Sequence, residues 1–188
     1  SGRRDHVLLL LAVQTGLRLS EMTGLRAADV RLGTGAHVHV LGKGRKERCT
    51  PLAKQTQAVL RSWMSSDLGS EPVILFPSAR GSRLSADGVQ YLVAKHVATA
   101  ARACPSLTRK RVTPHVLRHT TAMELLQAGV DRSVIAMWLG HESLETTQIY
   151  LDADLTLKER VLDKIAPPSV QARRYRPEDK LMAFLSAL

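Results

Sequence analysis

Arg18, Lys43, His115, Arg118, His141 and Tyr150 stand in four separated strings of this 188-residue chain. The strings are Thr15-Gly16-Leu17-Arg18-Leu19-Ser20-Glu21, Gly42-Lys43-Gly44-Arg45-Lys46-Glu47-Arg48, His115-Val116-Leu117-Arg118-His119, and Leu139-Gly140-His141 followed by Tyr150. Together they could break a phosphodiester without a metal. Such cleavage builds negative charge on the non-bridging oxygens, which two guanidinium forks can neutralise. A tyrosine can attack phosphorus in line and hold the product covalently. Its phenol, with an ordinary pKa of about 10, needs a base or cationic surroundings to do so near neutrality. The leaving 5′ oxygen needs a proton, which a lysine on a flexible turn can deliver. Arg18, Arg118, His115, His141, Lys43 and Tyr150 supply that inventory. His115 and Arg118, at i and i+3 of a predicted helix start, share a face. The positive end of that helix favours a phosphate.

Each residue also has a plainer reading. Arg18 alone is a solvated arginine, and only the Thr-Gly-Leu-Arg-x-Ser-Glu string around it argues for chemistry. Glu21 pairs locally with Arg18 in either case. Lys43 has a rival on the same turn, Lys46. Arg45, Lys46 and Arg48 read as solvated charges or phosphate contacts rather than catalysts. His115 and His119, at i and i+4, could ligate zinc. No third ligand stands where one is expected, so no metal site is expected and His119 reads as a structural residue behind the site. His141 is either a structural histidine at a helix end or, from its spacing to Tyr150, a functional one. Tyr91 reads as core, Trp138 as core or a wall of the site, and Tyr175 as part of a basic linker.

The four strings, in this order and spacing, resemble the tyrosine recombinase (phage-type integrase) family from about Asp5 to Ile165. The resemblance implies the catalytic-domain fold of that family. It implies that Arg18, His115, Arg118 and His141 bind and activate the scissile phosphate, that Lys43 is the general acid and that Glu21 supports Arg18. Tyr150 would form a 3′-phosphotyrosyl bond and release a 5′ hydroxyl. No metal and no nucleotide cofactor is implied, because the phosphotyrosine conserves the bond energy. The implied function is site-specific recombination or integration by a tetramer on double-stranded DNA, with the chain a monomer in isolation. Family members carry an N-terminal core-binding domain that clamps the DNA, and none fits before Asp5. Alternatives are type IB topoisomerase-like relaxation, which shares the chemistry, and a DNA-binding protein without catalysis. A zinc hydrolase built on His115, His119 and His141 is a further reading, and it would be chelator-sensitive.

Composition bears on the partner. Lys and Arg number 27 against 17 Asp and Glu, a formal net charge of +10, which favours a polyanion such as nucleic acid. Aromatics make up only 4%, so contacts to duplex phosphates fit better than base stacking. Cys49 and Cys104 match no metal spacing and suit a reduced compartment. The longest apolar run, Val7 to Val13, is too short to span a membrane, and no cleavage site follows it. A cytoplasmic setting is expected.

The elements that must position these groups form a mainly α domain with a small antiparallel β-sheet (α+β). Asp5 caps a first helix, interrupted by Gly16. Ser20 caps a short helix with Glu21, Met22 and Leu25. Val38 and Val40 alternate with polar neighbours as a strand. Gly42 to Lys46 is a basic hairpin turn, and Glu47 to Leu52 is the returning strand. A helix from Ala53 to Leu68 faces the core with Ala58, Leu60, Trp63 and Met64. Ser85 caps a helix to about Ala103. Thr113-Pro114 opens one that stops at Gly129, and Asp131 caps the next, ended by Gly140. A short helix at 144–149 leads into Tyr150, and another spans Thr156 to Ile165. Residues 1–166 are expected to be the catalytic domain. Residues 167–188 are expected to be a linker and an apolar terminal helix that docks on a neighbouring protomer.

Overall fold

The computed structural model describes residues 2–42, 47–66, 74–140, 159, 161 and 162. Lys43, Arg45, Lys46, His141 and Tyr150 lie outside these residues, as do the expected helix at 144–149, most of that at 156–165, Tyr175 and the 167–188 tail. The described elements are α1 (Gly2–Thr15), α2 (Leu19–Gly24), β1 (Val30–Arg31), β2 (His37–Leu41), β3 (Glu47–Pro51), α3 (Lys54–Ser66), α4 (Ala86–Ala100), α5 (Pro114–Gln127) and α6 (Arg132–Leu139). Short 3-10 turns lie at Ala27–Asp29 and Pro105–Arg109. The chain is thus mainly helical with one small antiparallel sheet, as its patterning predicts. No helix among the described residues is long and apolar enough to cross a membrane.

The sheet runs β1-β2-β3. Val38 pairs with Val30 on one side and Thr50 on the other, and Val40 pairs with Arg48. Side chains alternate between faces along a strand. Val30, Val38, Val40, Arg48 and Thr50 therefore share the inner face, and all five are buried. An arginine on that face is the sheet's anomaly.

Local signals set the helix starts, with two corrections. Ser85, Thr113 and Asp131 cap as expected, accepting from the backbone N–H of Gly88, Val116 and Ser133. Asp5 is not a cap, because α1 begins at Gly2. Its buried carboxylate instead accepts from Arg4 Nε at 3.0 Å and faces His96 Nε2 of α4 at 3.1 Å. Nor does Ser20 cap α2: Arg18 is the N-cap residue, Glu21 accepts its N–H at 2.7 Å, and the helix starts two residues sooner. Two expected core residues are exposed, Tyr91 at 73% and Ala58.

Two hydrophobic clusters result. The first gathers Leu8, Leu11, Met22, Val38, Leu60 and Phe76 from α1, α2, the sheet, α3 and the segment before α4. The second gathers Leu125, Ile135, Trp138 and Leu139 of α5 and α6 with Val161, itself in a helical stretch. They meet where the end of α1 crosses α5. Thr121 donates to Val13 O at 2.6 Å. Gly16 has φ +63°, and a Cβ there would fall 2.6 Å from Leu139 Cδ2. Only glycine meets both demands.

Candidate active site at the seam of two cores

Arg18 leaves the first core in extended backbone at the start of α2. Its side chain, 32% exposed, reaches Glu21 Oε1 at 3.3 Å and Gly140 O at 3.0 Å. Glu21 is nearly saturated. Oε1 accepts Arg48 Nη1 at 2.8 Å as well, and Oε2 accepts Arg48 Nη2 and the Arg18 N–H, each at 2.7 Å. Two carboxylate oxygens offer about four lone-pair sites, and all four are used. Burial alone would raise the Glu21 pKa. The hydrogen bonds and charge of Arg48, then those of Arg18, outweigh it and hold the carboxyl below its usual value.

Arg118 comes from the second core, one turn into α5, and is buried. Nη1 donates to Gly16 O and Nη2 to Leu139 O at 2.8 Å. Nε is buried and has no acceptor among the described residues. Burial, then the charges of Arg18 and Arg48, push the Arg118 pKa down to about 10, so the side chain remains a cation at neutral pH. The last carbonyls of a helix lack partners within it and carry its negative end. Arg18 and Arg118 supply partners for those of α6, and the chain then continues into His141.

His115 is exposed and stacks on His119, with ring centroids 4.6 Å apart and planes 15° apart. Burial, then the charges of His115 and Arg118, lower the His119 pKa, so His119 is a neutral platform near pH 7. Arg18, His115 and Arg118 line one cleft of about 490 Å³ together with Gln90, Arg111 and Thr113. Among the described residues, no group of three His, Cys, Asp or Glu side chains is placed to hold a metal.

A family model, the phage integrase family, matches residues 1–156. The chain belongs to the phage integrase family. A protein of Sinorhizobium fredii named integrase/recombinase y4rC is 63% identical over 188 residues, all of this chain and 57% of its own length. Tyrosine recombinase XerC of Pelobacter propionicus is 37% identical over 179 residues, 95% of this chain and 56% of its own length. Among solved structures, XerH site-specific recombinase bound to difH substrate in a pre-cleavage complex superposes with a TM-score of 0.64 at 25% identity. That match covers 85% of this chain and 42% of XerH. The chain spans little more than half the length of the curated relatives it matches.

In this phage integrase domain the fold brings Arg18, Glu21, His115 and Arg118 together. Of the other residues expected from sequence to act on or bind DNA, Lys43, Arg45, Lys46, His141 and Tyr150 lie outside the described residues and Arg48 is described. It is not the solvated DNA contact that its basic turn suggests. Its side chain is 7% exposed and its fork is closed on Glu21. Strand alternation carries the missed signal: opposite the inward Val40, Arg48 must also point inward, and a buried arginine demands a carboxylate. Gln90 of α4 and Arg111 of the α4–α5 connection, also missed, line the cleft. The basic run Arg109-Lys110-Arg111 just before the Thr113 cap is the trace Arg111 leaves in sequence.

Proposed function

We propose that this chain carries the strand-cleaving and rejoining centre of a site-specific DNA recombinase or integrase. One observation carries the reading: Arg18 and Arg118, from two separate cores, converge on the two carbonyls that immediately precede His141. A phosphate in the cleft meets two oriented guanidiniums, and His115 stands at its rim. Preorganised cations of this kind stabilise the charge that develops in phosphoryl transfer. Tyr150 Oη attacks phosphorus, its proton passing to a histidine, His115 or His141. The bond to the 5′ oxygen breaks, and Lys43, with Lys46 as its rival, protonates that oxygen. A 3′-phosphotyrosyl link remains, and attack by another 5′ hydroxyl reverses the step on a new strand. No metal or nucleotide enters this balance.

Double-stranded DNA is the partner, in keeping with the net charge of +10 and with the DNA substrate held by the similar XerH. Strand exchange requires four copies on DNA, with 167–188 docking between neighbours. The test is a library of nicked duplexes with a randomised core, from which a cleaved 5′ fragment can diffuse away. The wild-type chain is expected to form a detergent-stable adduct with DNA. The Tyr150→Phe chain is expected to bind DNA and form none, and an adduct persisting there would remove Tyr150 as the nucleophile. Joining of two marked duplexes separates recombination from simple relaxation.

A further inference from the structure

We propose that Arg48 is a positioning residue that fixes the Glu21 carboxylate against Arg18 and ties the β2–β3 hairpin to the end of α6. The proposal rests on the strand-transfer reading and names a part of its machinery that acts without touching DNA. Arg48 holds Glu21 by a two-pronged fork, at 2.8 and 2.7 Å. Glu21 in turn holds Arg18 by both its backbone N–H and its guanidinium. Across the site, a Cβ on Gly140 would lie 2.8 Å from Arg48 Nη1, so the guanidinium packs directly on the last turn of α6. Arg18 donates to that same residue's carbonyl. Arg48 therefore contacts both anchors of Arg18, the carboxylate and the helix end. It also lies at the base of the strand pair whose connecting turn carries Lys43 in sequence.

The charged groups facing Glu21 are Arg18 at the start of α2, Arg48 from β3 and Arg118 from α5. Arg48 makes the largest contribution that keeps Glu21 ionised, against its burial. Without the fork, burial prevails and Glu21 takes up a proton at a higher pH. A protonated Glu21 gives Arg18 a weaker bond, and the half-exposed guanidinium swings away from the phosphate. Loss of Arg48 should thus act on cleavage in the same way as loss of the Glu21 charge.

The test uses the full chain and one duplex recovered from the wild-type adduct. Arg48→Lys keeps the cation but not the fork, and it is expected to cleave about a hundredfold more slowly in single turnover, as misplacement of a catalytic group does. DNA affinity should stay within about twofold of wild type, since Arg48 is buried and residues outside the phosphate contacts contribute little to binding. The variant should also gain an acid limb in its pH–rate profile, at a higher pH than any in wild type. Glu21→Gln/Arg48→Met removes both charges of the buried Arg48–Glu21 pair together, so neither is left without its partner, which guards against simple unfolding. It is expected to cleave no more slowly than Glu21→Gln alone, as residues acting as a unit do. Wild-type cleavage with Arg48→Lys equally fast overturns the proposal. Parallel loss of binding and cleavage with an unchanged pH profile makes Arg48 merely structural and overturns it too. Absence of any wild-type adduct removes the strand-transfer reading and this one with it.

Discussion

At the scale of the residue, the site is a problem of like charge. Arg18, Arg48 and Arg118 gather round one carboxylate, Glu21, and two carbonyls at the end of α6. Those acceptors take up donors of the three cations, and burial, then the charges of Arg18 and Arg48, lower the Arg118 pKa. Arg118→Ala is expected to slow cleavage by about 10²–10³ while changing DNA affinity far less, because its donors act mainly on developing charge. Equal losses in single-turnover rate and in equilibrium binding would make it a binding residue only. Glu21 also links the site to acid stability. Its folded pKa lies below the ordinary 4.5, so its contribution is complete above that value and is lost as pH falls towards the folded one. Glu21→Gln cannot titrate. Its melting temperature is expected to fall less steeply below pH 4.5 than wild type's, and parallel curves would show that the carboxylate contributes nothing there.

At the scale of the element, helix ends place the chemistry. Thr113 and Pro114 set the start of α5 and with it the turn that aims His115 into the cleft and Arg118 at the seam. Thr113→Ala is expected to lower unfolding free energy by about 1 kcal/mol, measured by denaturant titration, and no change would mean that the cap is not used. Gly140 ends α6 at φ +73° and lies against Arg48. Gly140→Ala forces a left-handed alanine, about 1–2 kcal/mol by itself, and pushes its methyl into the Arg48 guanidinium. It is expected to impair cleavage more than Thr113→Ala does, because it displaces the Arg18 and Arg48 anchors together. A Gly140→Ala chain that cleaves like wild type would show that this close approach is not required.

At the scale of the whole molecule, Arg18 and Arg118 lie at the boundary between two hydrophobic clusters. The junction includes the Thr121–Val13 hydrogen bond, the Gly16–Leu139 approach, the Arg118 fork and the Arg18–Gly140 hydrogen bond, with Leu117 of α5 packed on the first cluster. Arg118 rides on α5 and Arg18 on the start of α2, so the relative placement of the two guanidiniums depends on this junction. The net charge of +10 also acts at this scale. With about six phosphate contacts, DNA affinity is expected to fall about a thousandfold between roughly 50 and 200 mM salt. A fluorescence-anisotropy titration giving a flat response would exclude phosphate-dominated recognition.

The sequence by itself determined the inventory and most of the frame. Arginine, histidine, lysine and tyrosine types are read directly, and caps, glycine stops and strand alternation are local effects that propagate over a few residues. Hence α5, α6 and the β2–β3 pairing were legible in advance, as was the adjacency of Arg18 to Glu21. What only the tertiary structure decided is who shares whom. Arg48 looked like one more cation on a basic turn, yet register set it opposite Val40 and burial turned it onto Glu21. Tyr91 looked like core and faces out because α4 turns Val89, Leu92 and Val93 inward and leaves Tyr91 on the other side. Asp5 looked like a cap and became the buried partner of Arg4 and His96. For Arg48 and Asp5 the deciding partner, Glu21 or His96, lies 27 or 91 residues away in the chain, where no local pattern can specify it.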